Sequence, residues 1–283
     1  MARKIGVYWV FTNIYVDDLR AIGTPIILEG TADDEKKKYH LYRIALEILT
    51  TERTYVDKLN LIDQVLHARL DAANERHNMF PDDVTKRMFS NMKSVYQLHH
   101  DFVLPQLEQR MQEWEKVKRI GDIMLRFAPF LKMYTEYVNN YEMAQKLINI
   151  WLVKSNRFRA IVDELSKLPE CDNMLILNHM LVPVQRVPRY ELLLKEYLKR
   201  LPGDSADRAD AEKALTCVSA AAHHINNAMR KIHKFKKLLE IRDLLGGAVD
   251  LVSPSREFIK EGRLVKISAR SGDHQERYLF LDG

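Results

Sequence analysis

Residues 180–190 read Met180-Leu181-Val182-Pro183-Val184-Gln185-Arg186-Val187-Pro188-Arg189-Tyr190. Apolar residues at Leu177, Leu181, Val184, Pro188 and Leu192 recur at threes and fours, which predicts a helix. Gln185, Arg186 and Arg189 lie off that stripe. Two prolines stand inside the pattern, and each removes a backbone hydrogen bond and crowds the preceding turn. A kinked helix with solvated arginines is the plain reading. Against it, a helix distorted twice needs a compensating reason.

On either side of this stretch the chain keeps a helical period from Asp33 to Leu239. Asp33-Asp34-Glu35 places acids at a helix start, where the macrodipole favours them. The stripe Leu41, Ile44, Ala45, Ile48, Leu49, Tyr55, Val56, Leu59, Ile62, Leu66 follows. Pro81-Asp82-Asp83 opens a second run that continues through Leu104 and Leu107 towards Trp114, with a bend at Pro105. Further helices are expected over 121–153 with a kink at Pro129, over 156–168, over 174–201, and over 206–239 capped by Asp204 or Ser205. After Gly246-Gly247 the pattern becomes short strands at 256–268 and 276–281, joined by Arg270-Ser271-Gly272-Asp273, which reads as a hairpin. A lone hairpin is not stable by itself, so the strands are expected to begin a second domain that the sequence leaves incomplete. Residues 1–35 have no helical period. Arg3 and Lys4 before an apolar run imitate a signal peptide, but Tyr15-Val16-Asp17-Asp18 offers no small-residue cleavage pattern.

The 283 residues suggest about two domains. Ten glycines and nine prolines are too few turn formers for an all-β fold. No run of apolar residues is long enough to span a membrane. Two cysteines cannot build a disulfide framework or a cysteine-rich metal site, so a reduced, soluble, intracellular chain is expected. Forty-four basic against 39 acidic residues give +5, which favours acidic partners without choosing among them.

Signatures of enzymes are missing: no glycine-rich phosphate loop, no HExxH, no GxSxG. His99-His100 and His223-His224 are adjacent on helices and point about 100° apart, so they read as partly exposed residues rather than metal ligands. One residue of the first helix is out of place. Counting from Leu41 at about 100° per residue, Ile48 falls at about 340°, Tyr55 at about 320° and Leu59 at about 0°. Glu52 falls at about 20°, inside the apolar stripe. Such a carboxylate is either paired internally, as in an ion pair to a core-edge arginine, or stands where the stripe reaches the surface. The last helix carries Arg230, Lys231, Lys234, Lys236, Lys237 and Arg242 against Glu240. A solvated face and attraction to an anionic membrane explain this equally well. Phe235 is the one aromatic residue among these bases, which argues against nucleic-acid stacking.

Two segments resemble a known family. Leu49-Thr50-Thr51-Glu52-Arg53-Thr54-Tyr55-Val56 is similar to the first conserved region of Dbl-homology (DH) domains. Pro183-Val184-Gln185-Arg186-Val187-Pro188-Arg189-Tyr190-Glu191-Leu192-Leu193-Leu194-Lys195-Glu196 is similar to the third. The resemblance spans 36–240. It implies an all-α elongated helical bundle that exchanges nucleotide on Rho-family small GTPases, followed by a linker at 241–257 and the first strands of an incomplete β (PH) domain at 258–283. Residues 259–281 read most like the FYVE, RhoGEF and PH-containing (faciogenital dysplasia) subfamily, and 1–35 match nothing.

The resemblance further implies that Glu52 is an exposed docking acid reaching the first switch of the GTPase. It implies that Arg189 and Asn226 contact the second switch, that Gln185 shares their face, and that Leu181 meets a GTPase residue that differs among subclasses. Leucine at that position accompanies the Cdc subclass, isoleucine Rac and a basic residue Rho. No bond chemistry, cofactor or metal is expected, so no residue is assigned a catalytic role in the enzymatic sense. A helical scaffold without exchange activity is the alternative, binding a protein or an anionic membrane. Lys231, Lys234, Lys236 and Lys237, with the PH strands, are candidates for anionic lipid. The implied location is the cytoplasm, with recruitment to membrane or actin cytoskeleton.

Overall fold

The computed structural model describes residues 32–81, 83–171, 176–246, 257–267 and 274–282. Ten α-helices and one hairpin are present among them. Helix α1 (Ala32–Asn60) runs through a π-helical segment, Leu61–His67, into α2 (Ala68–His77). The stripe expected on this rod is the one that packs: Leu41, Ala45, Ile48, Leu49, Tyr55, Val56, Leu59, Ile62 and Leu66 are all buried.

The run expected from Pro81 to Trp114 is broken. Helix α3 (Asp83–Phe89) ends at Ser90, whose φ of +51° is left-handed. Helix α4 (Met92–Gln97) then restarts. The turn lets Phe89 and Met92 both face the core and sends the Asn91 amide to the Met133 carbonyl at 2.9 Å. Leu98–Val103 is again π-helical and leads into α5 (Leu104–Gln112). The wide turn accommodates Pro105, which lacks an N–H and crowds an ordinary preceding turn.

Helix α6 (Gly121–Phe127) passes through a 3₁₀ segment, Ala128–Met133, into α7 (Tyr134–Lys154), so the helix tightens at Pro129, where a kink was expected. Helix α8 (Asn156–Ser166) is capped by Ser155, whose Oγ accepts from the Phe158 amide at 3.1 Å. Helix α9 (Ile176–Arg200) keeps Pro183 and Pro188 inside it. The Tyr137 hydroxyl donates to the Met180 carbonyl of this helix at 2.7 Å.

The last helix, α10 (Arg208–Leu244), starts later than expected and is capped differently. Ser205 accepts from the Asp207 amide at 3.3 Å. Asp207 is buried and points away from its own helix: it accepts from the amides of Ile120 and Gly121 and from the Tyr197 hydroxyl, at 2.8–3.0 Å. The N–H groups at the start of α6 lack intrahelical partners, and this carboxylate satisfies two of them. The approach requires glycine, because a Cβ at Gly121 would lie 2.5 Å from the Ala211 nitrogen.

Strands β1 (Phe258–Ile267) and β2 (His274–Asp282) pair antiparallel, with Gly262 opposite Leu279 and a register shift between Phe258 and Lys260. They carry exposed Ile259, Leu264, Val265, Ile267, Tyr278, Leu279 and Leu281. Residues 1–31, which the sequence left unmatched, and the turn at 270–273 lie outside the described residues.

Candidate functional site: the outer face of α1 and α9

Glu52 is fully buried, which corrects its reading as an exposed docking acid. Its Oε2 accepts from Arg186 Nη2 at 2.5 Å and from the Tyr190 hydroxyl, and its Oε1 faces His99 Nδ1 at 2.6 Å. The ion pair to an arginine is the alternative that its position in the stripe had left open. Burial works to raise the Glu52 carboxyl, but Arg186 and then His99 outweigh it and hold the group at about 2. An ionised carboxylate only accepts, so His99 Nδ1–H is the donor. In the imidazole form its Nε2 accepts from Tyr134 at 2.7 Å, and Tyr134 in turn takes a bond from Tyr55 at 2.7 Å. Burial raises the hydroxyls of Tyr55, Tyr134 and Tyr190, so all three stay protonated donors.

Two further readings are corrected here. His99 is buried in this network rather than partly exposed. Arg186 is buried rather than solvated, its guanidinium 4.2 Å from the Tyr190 ring centre and 5.3 Å from that of Tyr55. Stacking on aromatic faces and a paired carboxylate together offset the cost of desolvating it. The network ties α1, α9 and the π turn at Leu98–Val103 together.

The apolar face of α9 also differs from expectation. Measured from Leu177, residues Leu181, Pro188 and Leu192 fall at about 40°, 20° and 60°. Met180, Val187, Tyr190 and Leu194, all buried, fall between about 220° and 300°. Helix α9 is therefore apolar on two sides, and periodicity picked the outer one. Leu181 and Pro188 are half-buried and Leu192 is 52% exposed. Gln185 and Arg189, both exposed, stand beside this outer stripe at about 80° and 120°.

Arg189 meets a residue that sequence reasoning missed. Its Nη2 lies 3.1 Å from Glu47 Oε1 on α1, with both side chains about half exposed. Glu47 sits at about 240° on the α1 wheel, off the buried stripe, and that was the available signal. Asn226 is exposed on α10, which packs against α9 and is tied to it by Ser219 donating to Glu191 at 3.0 Å. Leu181, Gln185 and Arg189 thus share one face with Glu47, and Asn226 lies on the neighbouring helix.

The basic residues of α10 are divided. Lys234 pairs with Glu257 at 2.9 Å and Lys237 with Glu261 of β1 at 2.8 Å. These pairs hold the hairpin against the helix. Lys231 and Lys236 remain exposed. Among the described residues no group of three or more His, Cys, Asp or Glu could hold a metal, and no helix is long and apolar enough to cross a membrane.

The family described as RhoGEF domain matches residues 44–226. FYVE, RhoGEF and PH domain-containing protein 1 of Homo sapiens is 47% identical over 262 residues, covering 93% of this chain and 27% of that protein. Protein 3 of the same series, also from Homo sapiens, is 49% identical and covers 85% of the chain and 33% of that protein. The chain therefore spans about a quarter to a third of the length of these relatives. Among solved structures, the DH domain of FARP2 is 26% identical with a TM-score of 0.61, covering 76% of this chain and 99% of that one. The DH/PH domains of PDZ-RhoGEF, solved in complex with GTP-gamma-S activated RhoA, share the fold at 19% identity with a TM-score of 0.67, covering 87% and 72%.

Proposed function

Since this chain belongs to the RhoGEF domain family, we propose that it is a guanine nucleotide exchange factor for Rho-family small GTPases, acting through the outer face of α1, α9 and α10. The observation that carries the reading is the outer apolar stripe of α9, half-buried at Leu181 and Pro188, open at Leu192, and bordered by Gln185, Arg189 and Glu47. An exposed apolar stripe rimmed by a few charges is the anatomy of a protein interface. Glu47, not Glu52, is the carboxylate in position to meet a GTPase switch.

Exchange needs no bond chemistry from the factor. A face that fits the nucleotide-free GTPase better than the loaded one lowers the barrier to GDP release by that difference. Rigidity helps, because a face already ordered loses little entropy on docking. The buried Glu52–Arg186–His99 network supplies it beneath the stripe. In the free chain Glu47 and Arg189 satisfy each other, and on docking they exchange that contact for GTPase groups.

The assignment places the DH domain at 36–240, a linker at 241–257 and the first PH strands from 258. The cytoplasm, with recruitment to membrane or actin cytoskeleton, is the corresponding location. Leu181 supports the Cdc subclass: an uncharged branched side chain makes an apolar contact and offers nothing to an acidic surface. Against Rac the discrimination is small, about 1 kcal/mol, since leucine and isoleucine differ only in branching.

Release of a fluorescent GDP analogue from a panel of Rho-family GTPases tests both levels. Fastest release is expected from the Cdc subclass, slower from Rac, slowest from Rho. Arg189→Ala and Glu47→Ala are expected to slow release at least tenfold while changing stability by no more than about 1 kcal/mol, because exposed pairs contribute little. Binding to a GTPase without accelerated release from any member would replace this reading with the non-catalytic scaffold. Rho as the best substrate would overturn the subclass alone.

A further inference from the structure

Helix α10 enters the helical core through small side chains. Its buried residues there are Ala211, Ala214, Val218, Ala222 and Ile225. Small side chains make shallow ridges, so packing resists a slide or a swing of such a helix only weakly. Polar contacts fix it instead, because a hydrogen bond is short and directional. The first stands at its start, where Asp207 accepts from the Tyr197 hydroxyl of α9 at 2.8 Å. One fixed point leaves a helix free to swing, and a second fixes its direction.

Ser219 supplies the second point. Its hydroxyl donates to Glu191 Oε1 on α9 at 3.0 Å, and the same oxygen takes the Lys195 ammonium at 2.6 Å. Glu191 falls at about 320° on the α9 wheel counted from Leu177, between the buried side and the outer stripe. The nearby hydroxyl of Thr216 bonds the Glu212 carbonyl of its own helix and ties nothing to α9. Ser219 and Asn226 are seven residues apart. That spacing puts them within about 20° of each other and about 10 Å apart along α10. Glu191 follows Arg189 by two residues and Gln185 by six, a rise of about 3 Å and about 9 Å. The tie thus stands at the edge of the outer face, beside the residues that line it.

We infer that Ser219 and Glu191 are a positioning pair for nucleotide exchange: their hydrogen bond sets where Asn226 stands against Gln185 and Arg189. The role rests on the exchange reading above. Without the bond, α10 keeps its anchor at Asp207 and swings about it. Asn226 lies beyond Ser219 from that anchor, so any displacement at Ser219 is enlarged there. A shift of about 1 Å in a contact made in the transition state costs up to about 100-fold in rate. Neither Ser219 nor Glu191 has to touch the GTPase for this, which separates their role from that of Arg189 and Asn226.

A double-mutant cycle on GDP release, with rates taken per folded molecule from circular dichroism, provides the test. Ser219→Ala is expected to slow release about fivefold and Asn226→Ala about tenfold, whereas the double variant should be slowed about tenfold, because a misplaced Asn226 has little left to lose. Independent effects would multiply to about fiftyfold, and that result would overturn the role. Glu191→Gln keeps an acceptor oxygen for Ser219 and should stay within about twofold of the parent, while Glu191→Leu should match Ser219→Ala. Both Glu191 variants remove the ion pair to Lys195, so the difference between them reports the hydrogen bond alone. Equal rates in these two, or a Ser219→Ala variant as fast as an active parent, would overturn the positioning role and leave the exchange reading standing. A parent that accelerates release from no GTPase would overturn the exchange reading and this role with it.

Discussion

Removing the charge of Glu52 would leave Arg186 buried without a counter-ion, because the remaining neighbours, Tyr190 and Tyr55, offer only ring faces and hydroxyls. Glu52→Gln is therefore expected to cost about 3–5 kcal/mol in urea denaturation. Exchange per folded molecule should be kept, in contrast to Glu47→Ala. Loss of exchange with stability intact would return Glu52 to the GTPase. The carboxyl, ordinarily near 4.5, is held at about 2 in the folded chain. A depressed carboxylate contributes stability above its unfolded value and loses it as pH falls through the folded one. The parent should thus lose on the order of 3 kcal/mol from this group between about pH 4.5 and pH 2. The gap between parent and Glu52→Gln should narrow across the same window, and a gap independent of pH would contradict the ionised pair.

Two elements meet where Gly121 lets the start of α6 touch α10. A Cβ there would lie 2.7 Å from Asp207 Oδ1 and 2.8 Å from the Ala211 Cα, and neither backbone can retreat without breaking the bonds to Asp207. Gly121→Ala is expected to destabilise by about 2 kcal/mol or more, read from the denaturation midpoint. A neutral outcome would mean that the contact relaxes without cost. On α9 the two apolar stripes make opposite forecasts. Leu192→Ser, on the outer stripe, should leave stability within about 0.5 kcal/mol and slow exchange, whereas Leu194→Ala, on the inner one, should cost about 2–5 kcal/mol. Thermal melts alongside the exchange assay distinguish them, and equal melting losses would show the helix to be rotated from the orientation described.

Across the whole molecule, packing is uneven. The helices share one continuous core from Leu41 to Ile225, while the hairpin leaves apolar side chains in solvent and is held to α10 by ion pairs. A two-stranded ribbon with little buried surface opens readily. Amides of 258–267 and 274–282 are expected to exchange far faster than those of α9, and faster still in Lys237→Ala. Strong protection of the hairpin in hydrogen exchange would show a stabilising contact beyond these pairs.

The helical class, the order of the helices, the stripe of α1 and the irregularity of the helices next to Pro105 and Pro129 were legible in the sequence, because each depends on residues a few positions apart. So was the oddity of Glu52, since a carboxylate inside an apolar stripe is a local contradiction. Its resolution was not legible. Arg186 and His99 lie far from Glu52 along the chain and meet it only when α1, α9 and the π turn pack together. The same packing decided which apolar side of α9 is core and which is left at the surface, and it brought Glu47 to Arg189. Periodicity reports that a face is apolar. What covers that face depends on neighbours contributed by distant parts of the chain.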